Sequence, residues 1–145
     1  MTDVADHPKR VAVREDVLTK PLADLDQVRL VGSAFGHCRE TFLGKAAVCP
    51  NCGREGPTAR PLSRRGTLWT YTVVRHKPPG DYRGPAPFVP FGLGLVELPE
   101  GLRVLAPIAC DLAELQIGLD LEFRAFVRPG SQDPEVVSFH FVPVK

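Results

Sequence analysis

The sequence predicts a mostly β protein whose core is a small barrel, and three observations carry that reading. Five segments beyond Pro61 have the length and apolar pattern of strands: Thr67 to Arg75, Phe91 to Glu97, Arg103 to Ala109, Leu121 to Arg128 and Val136 to Val144. The chain holds 15 Pro and 13 Gly, concentrated in 78–90 and around 92–101, which disfavours long helices and suits short strands joined by turns. Its 145 residues suffice for one core, or one small domain with an appended module.

Residues 1–20 are polar, mixed in charge and without clean periodicity, which predicts a flexible arm that orders only against a partner. Leu22, Leu25, Val28 and Leu30 then recur at roughly helical spacing, with Asp24 and Asp26 on the polar side, and predict one short helix. Residues 1–30 therefore read as an N-terminal arm with a short helix. Residues 31–60 form a small cysteine-bearing module, and 61–145 form the barrel.

Within the barrel segment, Leu121, Phe123, Ala125 and Val127 alternate with Glu122, Arg124, Phe126 and Arg128, as in a strand with one buried face. Gly92 and Gly94 fall inside a strand, where they permit the sharp coiling of a small closed barrel. Asp111 to Gln116 predicts a short helix between the third and fourth strands, and five strands with such an insertion match an OB-type barrel. The stretch from Lys77 to Pro87 is too proline-rich to pair in a sheet.

Charge and targeting signals narrow the function classes. Lys and Arg total 18 against 17 Asp and Glu, a formal net charge of +1, whereas a dedicated nucleic-acid binder is usually more basic. The first residues lack an apolar core of a signal peptide, and no stretch approaches a membrane span, so the expectation is a soluble, unexported, cytoplasmic protein. In that reducing compartment, Cys49 and Cys52 are spaced for metal rather than for disulfides.

Cys49-Pro50-Asn51-Cys52-Gly53 makes a knuckle: the tight turn brings two thiolates to one metal, and Gly53 allows the backbone conformation that side chains oppose. A structural zinc site needs four ligands. Cys38 suits the second residue of an opposing knuckle, but the expected partner position holds Phe35.

These residues resemble those of the zinc-ribbon/OB-fold proteins long catalogued only as a domain of unknown function. Gly32-Ser33, Cys38, Phe42, Cys49 to Gly53, and Gly66-Thr67-Leu68-Trp69-Thr70-Tyr71-Thr72-Val73-Val74 occur in the family's order. Pro90 to Leu98 with Glu100 to Val104 looks like its second hairpin, and Ile117-Gly118-Leu119 like its turn before the fourth strand. The resemblance covers roughly residues 30–145.

It implies a rubredoxin-like zinc ribbon at 31–60 and structural zinc held by Cys38, Cys49 and Cys52, with His37 as a candidate fourth ligand. A partner-supplied ligand, or a metal-free ribbon held by Phe35 packing, are the alternatives. Members accompany thiolase-fold enzymes, including acetyl-transfer thiolases and steroid side-chain aldolases, or are fused to hydratases acting on acyl-CoA thioesters. The implied role is a non-catalytic accessory subunit of a thiolase-fold catalytic partner, with acyl-CoA at the shared interface and no membrane. Glu40 to Lys45 also looks like the small subunit of benzoylsuccinyl-CoA thiolase, from anaerobic toluene degradation.

The residues themselves agree in what they lack. There is no Gly-x-Ser-x-Gly elbow, phosphate loop or dinucleotide fingerprint, and His7, His37, His76 and His140 are scattered. Cys110 closes an apolar strand and reads as a small buried hydrophobe. His140 alternates with Phe139 and Phe141, which predicts an exposed or capped ring.

Arg60, Arg64 and Arg65 are candidates to grip the phosphates of coenzyme A or a partner's carboxylates, against the plainer reading of solvated linker charges. Tyr82 and Phe88, with Phe91, give the proline-rich loop the means to line a tunnel mouth or dock on a partner, against a mobile surface loop. Trp69 and Tyr71 are assigned to the barrel core. A single-stranded nucleic-acid module is the competing function, because both parts occur in such proteins and an OB strand can stack bases. A free-standing carrier of a CoA ester is a third.

Overall fold

The computed structural model describes residues 9–14, 16–80, 82, 84–85, 87–132 and 134–144. Among them the chain runs through β1 (Arg10–Ala12), β2 (Val31–Phe35), β3 (Glu40–Leu43), β4 (Thr58–Pro61), β5 (Arg65–Val74), β6 (Phe91–Glu97), β7 (Arg103–Ile108), β8 (Asp120–Val127) and β9 (Glu135–Pro143).

Alternation of apolar residues builds the barrel. β5 pairs antiparallel with β6 and β6 with β7, while β8 pairs antiparallel with both β5 and β9. A parallel contact of Ile108 with Phe141 joins β7 to β9 and closes the ring of five strands in OB order. On β7, buried Val104, Ala106 and Ile108 alternate with exposed Arg103, Leu105 and Pro107. They meet Leu68, Val96, Leu121, Phe123, Val137 and Phe141 in one core.

The interior is tight enough to need glycine on β6. A Cβ on Gly94 would lie 2.5 Å from Leu68 Cδ1, and one on Gly92 would lie 2.8 Å from Leu115 Cδ1. Both distances are below what carbon atoms tolerate, so the coiling expected of these glycines has a packing cause.

The N-terminal region departs from the sequence reading. The expected helix over 22–30 is absent: only a single 3-10 turn, Leu25–Gln27, forms, capped by Asp24, whose Oδ1 accepts from the Asp26 N–H. Val28 and Leu30 are buried on either side of partly exposed Arg29, a period of two, and Leu18 bridges Leu30 antiparallel. Spacing that resembled a helix is satisfied by extended chain pressing onto the barrel, where Val17, Leu18, Leu22, Val28 and Leu30 join the core.

Residues 9–14 and 16–20 are likewise held by the chain itself. β1 adds in parallel to β9, and Arg10 donates to Glu135 at 3.0 Å and to the carbonyls of Leu22 and Ala23 at 2.9 Å. Residues 1–8 of the expected arm, including His7, lie outside the described residues.

The insertion between the third and fourth barrel strands is a 3-10 turn, Leu112–Glu114, started by a capping box of Asp111 and Glu114. A separate sheet of three strands, in the order β3-β2-β4, precedes the barrel. No helix among the described residues is long and apolar enough to cross a membrane.

Candidate functional site

The three-stranded sheet holds the cysteines. Gly32 lies where β2 crosses Leu62, and a Cβ there would come 2.8 Å from Leu62 Cδ2. Ser33 is the buried polar residue of this sheet: its hydroxyl donates to the Gly44 carbonyl at 2.7 Å and accepts from the Ala46 N–H at 3.0 Å. These two bonds fold the chain after β3 back toward the second turn. The Gly32-Ser33 pair therefore has a local structural job.

Cys38, Cys49 and Cys52 converge, with their Sγ atoms within 4.8 Å of one another and Cys38 to Cys49 at 3.9 Å. Thiolates around a tetrahedral zinc with Zn–S bonds of about 2.3 Å sit roughly 3.8 Å apart, so the cluster fits such an ion. Cys49 is buried, Cys38 half-buried and Cys52 exposed. The Cys38 thiol is pushed up to about 11, chiefly by its hydrogen bond with Cys52, then by burial and by Cys49; Cys52 is held below the ordinary thiol value by the same bond and by the Arg54 backbone.

His37 is exposed and does not belong to the converging group. Phe35 is 3% exposed and packs edge to face on Phe42, with ring centroids 6.1 Å apart.

The arginines between sheet and barrel are engaged within the chain. Arg60 lies 4.0 Å from Glu100, Arg64 donates to the Asp26 carbonyl at 2.6 Å, and Arg65 lies 3.7 Å from Glu122. Glu100 also accepts from the N–H and hydroxyl of Ser63, which ties the linker to the turn between β6 and β7. Arg60 lines one surface cleft and Arg65 two others.

The proline-rich loop forms an aromatic group. Tyr82 stacks on Phe91 at 6.4 Å, and Phe88 contacts both, at 5.6 Å from Tyr82 and 6.3 Å from Phe91. Beside it lies a cleft of about 790 Å³, lined by Tyr82, Val89, Phe91, Pro107, Phe126 and His140 together with Arg128. The loops after the first and fourth barrel strands border it, the region where OB folds bind ligands.

Sequence reasoning named Tyr82 and Phe88 but missed Phe126 and His140 as partners in this cleft. The signal was available, because Phe126 is a large aromatic on the outward face of an alternating strand. His140 is neither exposed nor capped: it stacks on Phe126 at 4.5 Å, and burial, followed by the nearby Arg124 charge, holds it below the usual histidine range.

Trp69 and Tyr71 lie outside the core, contrary to expectation. Trp69 follows the fully buried Leu68 and faces outward, 45% exposed, at a point where the β5–β6 register shifts, with the Arg103 guanidinium 3.9 Å from its ring centroid. Tyr71 is exposed and donates to the Leu115 carbonyl at 3.2 Å. Cys110 is half-buried at the end of β7, and burial raises its thiol above the ordinary value.

Comparison with known proteins agrees with this architecture. The family model for the ChsH2 C-terminal OB-fold domain matches residues 59–126. A "DUF35 domain-containing scaffold protein" of Pyrococcus furiosus is 33% identical over 101 residues, covering 67% of this chain and 68% of that protein. "Benzoylsuccinyl-CoA thiolase subunit BbsA" of Thauera aromatica is 32% identical over 94 residues, covering 64% of this chain and 60% of the relative. A chain of the solved structure "Ltp2-ChsH2(DUF35) aldolase" superposes with a TM-score of 0.59 at 26% identity, over 79% of this chain and 84% of its own. The chain belongs to the DUF35 family, with a ChsH2-type OB fold as its core.

Proposed function

We propose that this protein is a non-catalytic accessory subunit of a thiolase-fold enzyme acting on acyl-CoA, which it stabilises and whose substrate it helps to hold. The observation that carries the reading is the apolar cleft: an OB fold presents its ligand-binding region lined by Tyr82, Val89, Phe91 and Phe126, the chemistry of a protein or acyl surface. The relatives support it, since one is named as a thiolase subunit and another as an aldolase pair. Benzoylsuccinyl-CoA thiolase of anaerobic toluene degradation is the narrower form of the proposal, and a cytoplasmic hetero-oligomer goes with it.

In this reading Tyr82 and Phe88 belong to the docking surface. Arg60 and Arg65 remain able to meet a CoA phosphate, because both side chains are largely exposed and their contacts with Glu100 and Glu122 are long, at 4.0 and 3.7 Å, while Arg64 is committed to the Asp26 carbonyl. Zinc held by Cys38, Cys49 and Cys52 would pin the two turns of the ribbon together. His37 is the chain's own candidate for a fourth bond, but it stands outside the cluster.

The nucleic-acid alternative draws on exposed Trp69 and Tyr71, yet Arg103 already covers the indole, and the cleft is apolar rather than cationic.

The test is co-expression with a thiolase-fold protein encoded beside this chain. Wild type co-elutes with it on size exclusion and is required for its activity, while Phe126→Asp folds but elutes alone. Co-elution unchanged by Phe126→Asp rejects the cleft as the docking surface, and a chain that never associates rejects the accessory role.

A further inference from the structure

The cysteine cluster is built on two turns of the same shape. In each, the N–H of the fifth residue donates to the carbonyl of the first at 2.8 Å: Arg39 to Phe35, and Gly53 to Cys49. In each, that fifth residue has a positive φ, 58° at Arg39 and 78° at Gly53, and among the described residues Arg39 is the only non-glycine with this conformation. A side chain accepts the left-handed region at a cost of about 1 kcal/mol, which the Arg39-to-Phe35 turn bears and the glycine of the second turn does not.

The equivalence fixes what each position does. Phe35 stands where Cys49 stands in the other turn, and Cys38 where Cys52 stands. His37 is the counterpart of Asn51, which contributes its backbone N–H to Cys49 Sγ at 3.4 Å rather than its side chain. Phe35 is buried against Phe42 and offers no donor atom. On the side of Cys52 and Cys38, the cluster is open to solvent.

We propose that this is a three-thiolate site for a soft divalent cation, whose fourth coordination position is left open by Phe35 and filled by an exchangeable ligand from outside the chain. Three thiolates give a zinc-like ion a net negative complex with one vacancy, which solvent occupies and a thiol displaces. Four cysteines would make a closed clamp; three make a clamp with a port. The inference rests on the metal reading above and adds the open position to it.

The test uses the full chain reconstituted with cobalt(II), read by its thiolate-to-metal absorption band, with 2-mercaptoethanol as the probe ligand. Wild type shows the intensity of three thiolates, and added thiol raises it saturably by about a third as the count goes from three to four. Phe35→Cys has the higher intensity from the start and ignores added thiol, and His37→Ala behaves as wild type.

Should Phe35→Cys not fold, zinc K-edge absorption of the wild type decides. Three sulfurs with one oxygen, turning to four sulfurs with thiol, upholds the proposal, and an imidazole in the shell overturns it. Loss of a donor in His37→Ala, or a wild-type spectrum indifferent to thiol, means a closed site: the metal reading then survives and the open position does not. A chain that retains no cobalt rejects both.

Discussion

The barrel and the cysteine-bearing sheet are folded by different forces. The barrel buries Leu68, Val96, Val104, Ile108, Leu121, Phe123, Val137 and Phe141 around one centre. The three-stranded sheet buries only Val31, Gly32, Ser33 and Phe35 on β2, and every residue of β4 is exposed. Hydrophobic burial within a closed hydrogen-bonded sheet holds the first, whereas the second depends on hydrogen-bonded turns, the Ser33 clasp and whatever the thiolates bind. Stability should therefore be partitioned, with the cooperative unit in the barrel and a locally melting ribbon beside it.

The largest effect comes from attacking the barrel. Phe141→Ala removes a fully buried ring that meets Phe123 edge to face at 5.9 Å, and is expected to cost about 3–5 kcal/mol in chemical denaturation. Ribbon and barrel signals should be lost together. If the ribbon outlives the barrel, the partition is wrong.

Cys49→Ser probes the other side of the comparison. It should abolish metal retention and speed amide exchange across 31–61, while the barrel's unfolding midpoint moves by less than the equivalent of about 1 kcal/mol. A global loss as large as that of Phe141→Ala would make the ribbon part of the same cooperative unit.

The smallest effect concerns His140, which links barrel and cleft. Its folded pKa is depressed, so the unfolded chain binds the proton more readily. Its contribution to stability is complete above the ordinary histidine value of about 6.5 and is lost as pH falls through the lower folded value. His140→Gln should flatten the fall of unfolding free energy in that window, and an unchanged pH profile would remove His140 as its source.

Legibility in the sequence followed the same divide. Strands such as Arg103–Ile108 and Asp120–Val127 could be read because burial on one face writes a period of two into the chain. The short strands around the cysteines left no such trace, since β2 is buried on both faces and β4 on neither. Leu22, Leu25, Val28 and Leu30 imitated a helix because extended chain around a single 3-10 turn brings them onto the barrel core at a spacing close to helical, and Val17 and Leu18, read as part of a flexible arm, join the same core. Trp69 was misplaced because its neighbour Leu68 takes the inward position, so alternation turns the larger indole outward. Cys49 and Cys52 were legible from spacing, with Cys38 joined to them through the family resemblance; of the cleft only the loop aromatics were read, since residues from 82 to 140 meet there only through the closed barrel.

The three residues of β1 have a protective consequence. Along β9, only the part near Phe141 is engaged by β7, and the stretch from Glu135 to Val137 would otherwise offer its open flank as a template for another chain. Arg10 to Ala12 occupies that flank. The border left on the far side is short, and Lys9 and Arg14 flank it with positive charge, which discourages strand-to-strand aggregation. A protein whose proposed role requires an exposed apolar cleft thus has the backbone seam beside its last strand insulated from other chains.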